Sequence, residues 1–188
     1  MKVLIIPEDQ SLDRYIAKPV IEAMFGELER RATIDVLPEP RLRGASDALD
    51  PEVVASIVGD NPMIDLFLLV VDADCNRAGN RSKANARASE HAKKLIACVA
   101  EQEIEVWMLA LYKDRLGAGF ADVRKHCDPK EQWADDLLRE LGTGSPGGGR
   151  KSAMRQLAGN YRSLRDTCTE LRELEGRVRD WLDRAESS

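Results

Sequence analysis

Two aspartates one residue apart, Asp72 and Asp74, follow an apolar run over residues 66–71. Continuous Val- and Leu-rich runs of this length read as strands buried on both faces of a parallel sheet. Ligands of open α/β sheets bind just beyond the carboxyl ends of such strands. Residues two apart in an extended chain point to the same side. The two carboxylates are therefore expected to aim at one point, where their repulsion calls for a cation. Mg²⁺ or Mn²⁺, hard ions that prefer oxygen ligands, meet that demand. A plainer reading competes with this one: one acid caps the next helix and the other is solvated.

A third carboxylate stands after the first strand. Residues 2–6 form a β-branched run that ends at Pro7-Glu8-Asp9-Gln10. The first and third strands of a doubly wound sheet are commonly neighbours, which would bring Glu8, Asp72 and Asp74 into one crevice. Three carboxylates with open positions are what a Mg²⁺-assisted phosphoryl-transfer site requires. Glu105 is a further candidate ligand if the fold carries it close.

The elements that must position these acids alternate. A helix with Ser11 as its N-cap and Arg14 at the capping-box position carries apolar residues at helical spacing. Pro19 within it implies a kink or a late start. A second strand covers 33–37, and a loop covers 38–50. Asp50-Pro51-Glu52 is a helix start with Pro at the first helical position. That helix ends near 59–62, and the strand leading to Asp72 follows. Residues 75–80 read as a loop and Ser82 as the cap of the next helix. The stretch from 95 to 112 admits two assignments. Either the helix runs to about Glu101 and a strand covers 104–111, or 95–100 is the strand and a helix starts near Glu103. Both give a β-α-β-α-β-α-β order, hence an α/β fold with a mostly parallel sheet and helices on both faces.

Residues 126–188 differ from this core (1–125) and read as a helical C-terminal extension packed on it. A helix over 130–141 is followed by residues 142–149, a loop or hinge with five glycines and a proline. This stretch is no phosphate-binding loop, because it neither follows a strand nor ends in the required Gly-Lys-Ser/Thr. Residues 150–185 read as one long helix or as two joined near Thr167. Met154, Leu157, Tyr161, Leu164, Cys168, Leu171 and Val178 form its apolar stripe, and docking on the sheet is favoured over a coiled coil.

Composition narrows the function classes. The 188 residues carry 28 Lys and Arg against 33 Asp and Glu, a net charge of −5, so nucleic-acid affinity would have to come from local charge. Two stretches provide it. Residues 77–94 hold Arg77, Arg81, Lys83, Arg87, Lys93 and Lys94 against Glu90 alone, and residues 150–165 hold Arg150, Lys151, Arg155, Arg162 and Arg165 without an acid. Such stretches can hold a phosphate backbone without reading sequence, although charged helix faces are usually just solvated. The two histidines lie far apart, which disfavours a His-rich metal site or a Ser-His-Asp hydrolase. Cys75, Cys98, Cys127 and Cys168 are scattered, which predicts reduced thiols and a cytoplasmic protein. No apolar run is long enough for a membrane span, and no signal-peptide pattern opens the chain.

A Glu after the first strand combined with a later D-x-D resembles the Toprim domain, the metal-binding module of topoisomerases, DnaG-type primases and OLD-family nucleases. The chain is most similar to a Toprim-like family of small uncharacterised bacterial proteins related to the OLD nucleases. The residues that carry the likeness are Glu8-Asp9-Gln10, Asp72-Ala73-Asp74, the phrase Ile104-Glu105-Val106-Trp107-Met108-Leu109-Ala110, and Asp128-Pro129-Lys130. The resemblance implies a Toprim/Rossmann-like fold and a helical reading from Glu103. It implies Glu8 as general acid/base or metal ligand, Asp72 and Asp74 as Mg²⁺ ligands, and Glu105 as a further ligand. It also implies a nuclease acting on DNA or RNA, for which the two basic stretches offer Arg77, Arg81, Lys83, Arg150, Lys151 and Arg155 as nucleic-acid contacts. Such proteins resemble effectors that work beside a partner ATPase in phage defence, and oligomers are within the same expectation. Asp9 stands where many Toprim domains have Gly, and offers another ligand.

Two other classes compete. In a non-catalytic protein-interaction module of a multi-subunit complex, the acids would be structural and the C-terminal helix would bind the partner. In a phosphoacceptor receiver domain, Asp72 would be the acceptor and Lys113 the nearest candidate for the required lysine.

Overall fold

The computed structural model describes residues 1–38 and 42–187. Residues 39–41 of the loop expected over 38–50 lie outside the described residues. Four parallel strands form the sheet in the order β2-β1-β3-β4: β1 (Lys2–Pro7), β2 (Thr33–Val36), β3 (Leu66–Asp72) and β4 (Leu95–Ala100). The fold is α/β and Rossmann-like, with helices on both faces and at the C-terminus.

Strand alternation divides the core in two. Val3, Ile5, Leu66, Leu68, Val70, Ile96 and Cys98 point to one face. Leu4, Ile6, Phe67, Leu69, Val71, Leu95 and Ala97 point to the other. Both sets are buried, which is why β3 reads as a continuous apolar run. On the second face lie α2 (Ala45–Ala48), α3 (Pro51–Asp60) and α4 (Arg77–Glu90), contributing Ala48, Val54, Ile57 and Ala84. Asp50 caps α3 by accepting from the Glu52 and Val53 N–H groups at 2.9 and 3.0 Å.

On the first face lie α1 (Arg14–Glu27) and α5 (Glu105–Ala110). The second assignment of the 95–112 region holds: β4 takes Leu95–Ala100, and a helix follows from Glu105. Register decides it, since Phe67 to Asp72 pair with Leu95 to Ala100 one for one. The same face receives α6 (Phe120–Val123), a π-helical turn over Lys130–Ala134 that leads into α7 (Asp135–Leu141), then α8 (Arg150–Ala153), α9 (Tyr161–Thr167) and α10 (Thr169–Glu186). The C-terminal pattern is thus broken near Thr167, with a further interruption around Gly159. All seven residues of its apolar stripe lie in the same core cluster as the sheet, so the extension is docked on the sheet. The glycine-rich loop is docked as well: Gly149 takes φ +97°, and a Cβ at Gly147 would collide with the Tyr15 ring.

Three expectations are corrected. Helix α1 starts at Arg14, and Ser11 does not cap it; the Asp9 carboxylate instead gathers the Ser11 and Leu12 N–H groups at 2.7 and 3.2 Å in a local turn. The helix runs through Pro19, with Ile16, Ala17, Val20, Ile21, Met24 and Phe25 buried along its inner side. Helix α4 starts at Arg77 rather than at Ser82, because the Asn80 side chain ties its first turn to the end of β3, donating to the Asp72 and Ala73 carbonyls at 3.1 and 3.3 Å. Finally, Cys75 and Cys127 form a disulfide with Cα atoms 5.3 Å apart, while Cys98 and Cys168 are free and buried. The pair is 52 residues apart in sequence, and only the folded path of the chain brings it together. Among the described residues no helix is long and apolar enough to cross a membrane.

Candidate active site

Glu8 and Asp72 meet because β1 and β3 are neighbours running in the same direction. Glu8 is the residue after β1, Asp72 is the last residue of β3, and the Asp72 N–H donates to Glu8 Oε2 at 3.1 Å. Asp72 Oδ1 accepts from the Ile104 N–H at 2.8 Å, which fixes the carboxylate toward the start of α5. These groups border an open cavity of about 520 Å³ at the carboxyl ends of the strands.

Asp74 reaches the same cavity by a different route from the one its spacing predicts. The strand ends at Asp72, and Asp74 and Cys75 both turn into the left-handed region at φ +46° and +54°. Non-glycine residues there cost about 1–2 kcal/mol each. Gln102 holds the turn in place. Its carbonyl accepts from the Ala73 and Asp74 N–H groups at 2.8 and 3.0 Å, and its Oε1 accepts from the Cys75 N–H at 3.0 Å.

Among the described residues, seven carboxylates line the cavity, Glu8, Asp9, Asp13, Asp72, Asp74, Glu103 and Glu105, and two cations, Arg43 and Lys130. The excess of acid leaves its mark on proton affinities. Burial pushes Glu8 above its ordinary range, against hydrogen bonds from the Asp72 and Ala45 backbones, and the charges of Asp74 and Asp9 add to the rise. Asp72 is pushed well up by burial and then by the charges of Asp13, Glu8, Glu105 and Asp74. Burial raises Asp74 as well. Glu103, whose Oε2 accepts from the Lys130 N–H at 2.8 Å, is pushed up to about 7, mainly by burial. For Asp9, burial is outweighed by the Ser11 and Leu12 hydrogen bonds and by Lys130, so its carboxyl sits low and serves the turn.

Glu103 was not among the acids singled out from the sequence, and neither was Asp13. It is buried just before α1, accepts from the Asp9 N–H at 2.9 Å, and is pushed up to about 8 by burial and then by the charges of Glu105, Asp9 and Glu8. Its signal was present in Asp9, whose side-chain turn delays the helix and leaves Asp13 facing back into the strand ends.

A carboxyl with a raised folded-state pKa binds its proton more tightly in the native than in the unfolded chain. Its contribution is complete below pH 4 and is lost as pH climbs toward 8. Asp13→Asn keeps an oxygen for the Asp9 N–H and removes the charge. It is expected to raise stability at pH 8 by an amount on the order of a few kcal/mol, seen as a higher melting temperature, and to leave stability at pH 4 nearly unchanged. Thermal melts of both proteins from pH 4 to 8 measure this.

Glu105 lines the cavity from below and is already paired. Arg150, only 4 % exposed, bonds Glu105 Oε1 through Nη2 at 2.5 Å and through Nε at 3.2 Å, and donates from Nη1 to the Gly147 carbonyl at 3.1 Å. Arg150 is therefore a buried counter-ion and is withdrawn from the expected nucleic-acid contacts. The other five cations are on the surface, and none lines the cavity. Arg77 is paired with Glu101, and Arg81 with Glu173 at 3.5 Å. Lys83, Lys151 and Arg155 are exposed. Lys113 is exposed on a single helical turn and does not reach the cavity.

The donor set, all oxygen and rich in uncompensated charge, has the chemistry of a Mg²⁺ or Mn²⁺ site. Among the described residues, however, no three His, Cys, Asp or Glu side chains are grouped so as to hold a metal ion. Glu8 and Asp72 are joined through the Asp72 backbone N–H, and their carboxylates border the same cavity. No protein-family model, no curated protein and no solved structure matches the chain.

Proposed function

We propose that the protein is a Mg²⁺- or Mn²⁺-dependent phosphoryl-transfer enzyme of Toprim type, a nuclease acting on a DNA or RNA backbone. The observation that carries this reading is the meeting of Glu8 and Asp72 at the ends of adjacent parallel strands, inside a cavity with a large excess of carboxylates. Asp72, Asp74 and Glu8 are the groups that would hold the ion. The bound ion would polarise the phosphate and lower the pKa of an attacking water. Burial raises the proton affinity of Glu8, the direction that a general acid/base near neutral pH requires. Lys130 and Arg43, at the cavity wall, offer positive charge to a phosphate, and exposed Lys83, Lys151 and Arg155 offer more beyond it. Glu105 is assigned to balancing Arg150 rather than to ligation. On the same resemblance, the enzyme works as an effector beside a partner ATPase in phage defence.

A non-catalytic interaction module is the second reading, favoured by the lack of a grouped carboxylate triad among the described residues. The deciding experiment is cleavage of plasmid DNA, single-stranded DNA and tRNA with Mg²⁺ or Mn²⁺, alongside Asp72→Ala/Asp74→Ala. Metal-dependent cleavage that disappears in the double variant is the expected result. No cleavage, together with no metal-induced shift of the melting temperature, would favour the interaction module.

A further inference from the structure

Cys75 and Cys127 belong to two loops that frame the acidic cavity. Cys75 directly follows Asp74, which lines the cavity. Cys127 precedes Asp128, Pro129 and Lys130, and Lys130 lines the cavity from the other side. Both cysteines are exposed, whereas Cys98 and Cys168 are buried. Small thiols and disulfides therefore reach the first pair and not the second.

The disulfide joins segments whose other ties run through two intermediaries, Gln102 and Glu101. Gln102 is their shared neighbour: it holds the Ala73–Cys75 amides, and its Nε2 donates to the Lys125 carbonyl at a long 3.4 Å. Arg124 anchors the second segment on the Thr167 carbonyl at 2.9 Å and on Glu170 at 2.6 Å, and reaches toward the first through Glu101, at 3.4 Å, which also pairs with Arg77. Between Arg124 and Lys130, the covalent link to Cys75 is the strongest tie across to the Asp74 turn. That turn holds two consecutive left-handed residues, Asp74 and Cys75, a conformation that relaxes when its restraints are removed.

We propose that Cys75 and Cys127 form a reversible thiol–disulfide site, closed by low-molecular-weight disulfides and opened by low-molecular-weight thiols, that locks the Asp74 turn to the segment carrying Lys130. In closing, one cysteine thiolate attacks the small disulfide, forming a mixed disulfide and expelling one small thiolate. The second cysteine thiolate attacks the mixed disulfide and expels the other. The two cysteine protons end on the two released thiols, and the two electrons lost by the cysteines reduce the small disulfide. The site is independent of the phosphoryl-transfer reading, since its effect is on the backbone.

The test equilibrates the full chain in graded ratios of reduced to oxidised glutathione. Alkylation mass shifts count exposed thiols, and hydrogen exchange follows the peptide over residues 73–76. Two exposed thiols should appear on reduction, and the amides of Ala73, Asp74 and Cys75 should exchange at least ~10-fold faster as their protecting geometry loosens. Cys75→Ser/Cys127→Ser should exchange like the reduced wild type at every glutathione ratio. Thiols that stay unpaired at all ratios, or identical exchange in the two states, would overturn the proposal. The wild-type titration decides it even if the double variant folds poorly.

Discussion

Arg150→Ala should cost more stability than any other single change near the cavity. The guanidinium is buried and shared by Glu105 and the Gly147 carbonyl, so truncation strands a carboxylate that is only 3 % exposed. Removing one partner of such a pair typically costs about 3–5 kcal/mol. For a chain of this size each kcal/mol moves the melting temperature by roughly 2–4 °C, so a fall of about 6–20 °C is expected. The stranded charge also faces Asp13 and Asp72, whose proton affinities already feel Glu105. Replacing both partners with apolar residues, Arg150→Met/Glu105→Met, should recover most of the loss, because the penalty comes from the unpaired charge. Denaturant titrations of the single and double variants measure both effects. A single variant as stable as the wild type would mean that water reaches Glu105 and screens it.

Asp72→Asn should separate chemistry from architecture. The asparagine carbonyl can still accept from the Ile104 N–H, and the backbone bond to Glu8 is untouched. The substitution removes one charge from a crowd in which Asp13, Glu8, Glu105 and Asp74 all repel it. A carboxyl with a raised folded-state proton affinity loses stability as pH climbs, so the metal-free variant should gain stability over the wild type as pH rises beyond the ordinary carboxylate range. Metal-dependent cleavage should fall by about 10²–10⁴-fold, as when a group engaged in the reaction is lost. A gain in stability with a loss of activity is the signature of a site whose charges are kept for use rather than for folding. Lower stability with unchanged cleavage would instead mark Asp72 as a structural residue and refute its assigned role.

The scaffold of this site could be read from the residues, because β1, β3 and β4 are short, largely apolar runs that each end at or just before an acid. The ambiguity over residues 95–112 arose because both candidate strands are apolar, and only pairing with β3 separates them. Glu8 and Asp72 were found from strand ends alone. Asp13 was hidden by a plausible cap at Ser11, where a side-chain turn at Asp9 took over the N–H groups that such a cap would use. Arg150 looked like surface charge because its partner lies 45 residues away on another helix. The same holds for Cys75 and Cys127: pairing across loops is a property of the fold, and local spacing carries no trace of it.

The docking of α10 over the apolar face of β4 has a consequence for vectorial synthesis. The strands and α1 to α5 leave the ribosome well before Leu171, Leu174 and Val178, which cover that face. That face is thus only partly covered for a time, by α1 and α5, with the apolar surface of the edge strand β4 left open. Chaperone engagement is most needed in that interval, and it ends when the α10 segment arrives to close the layer.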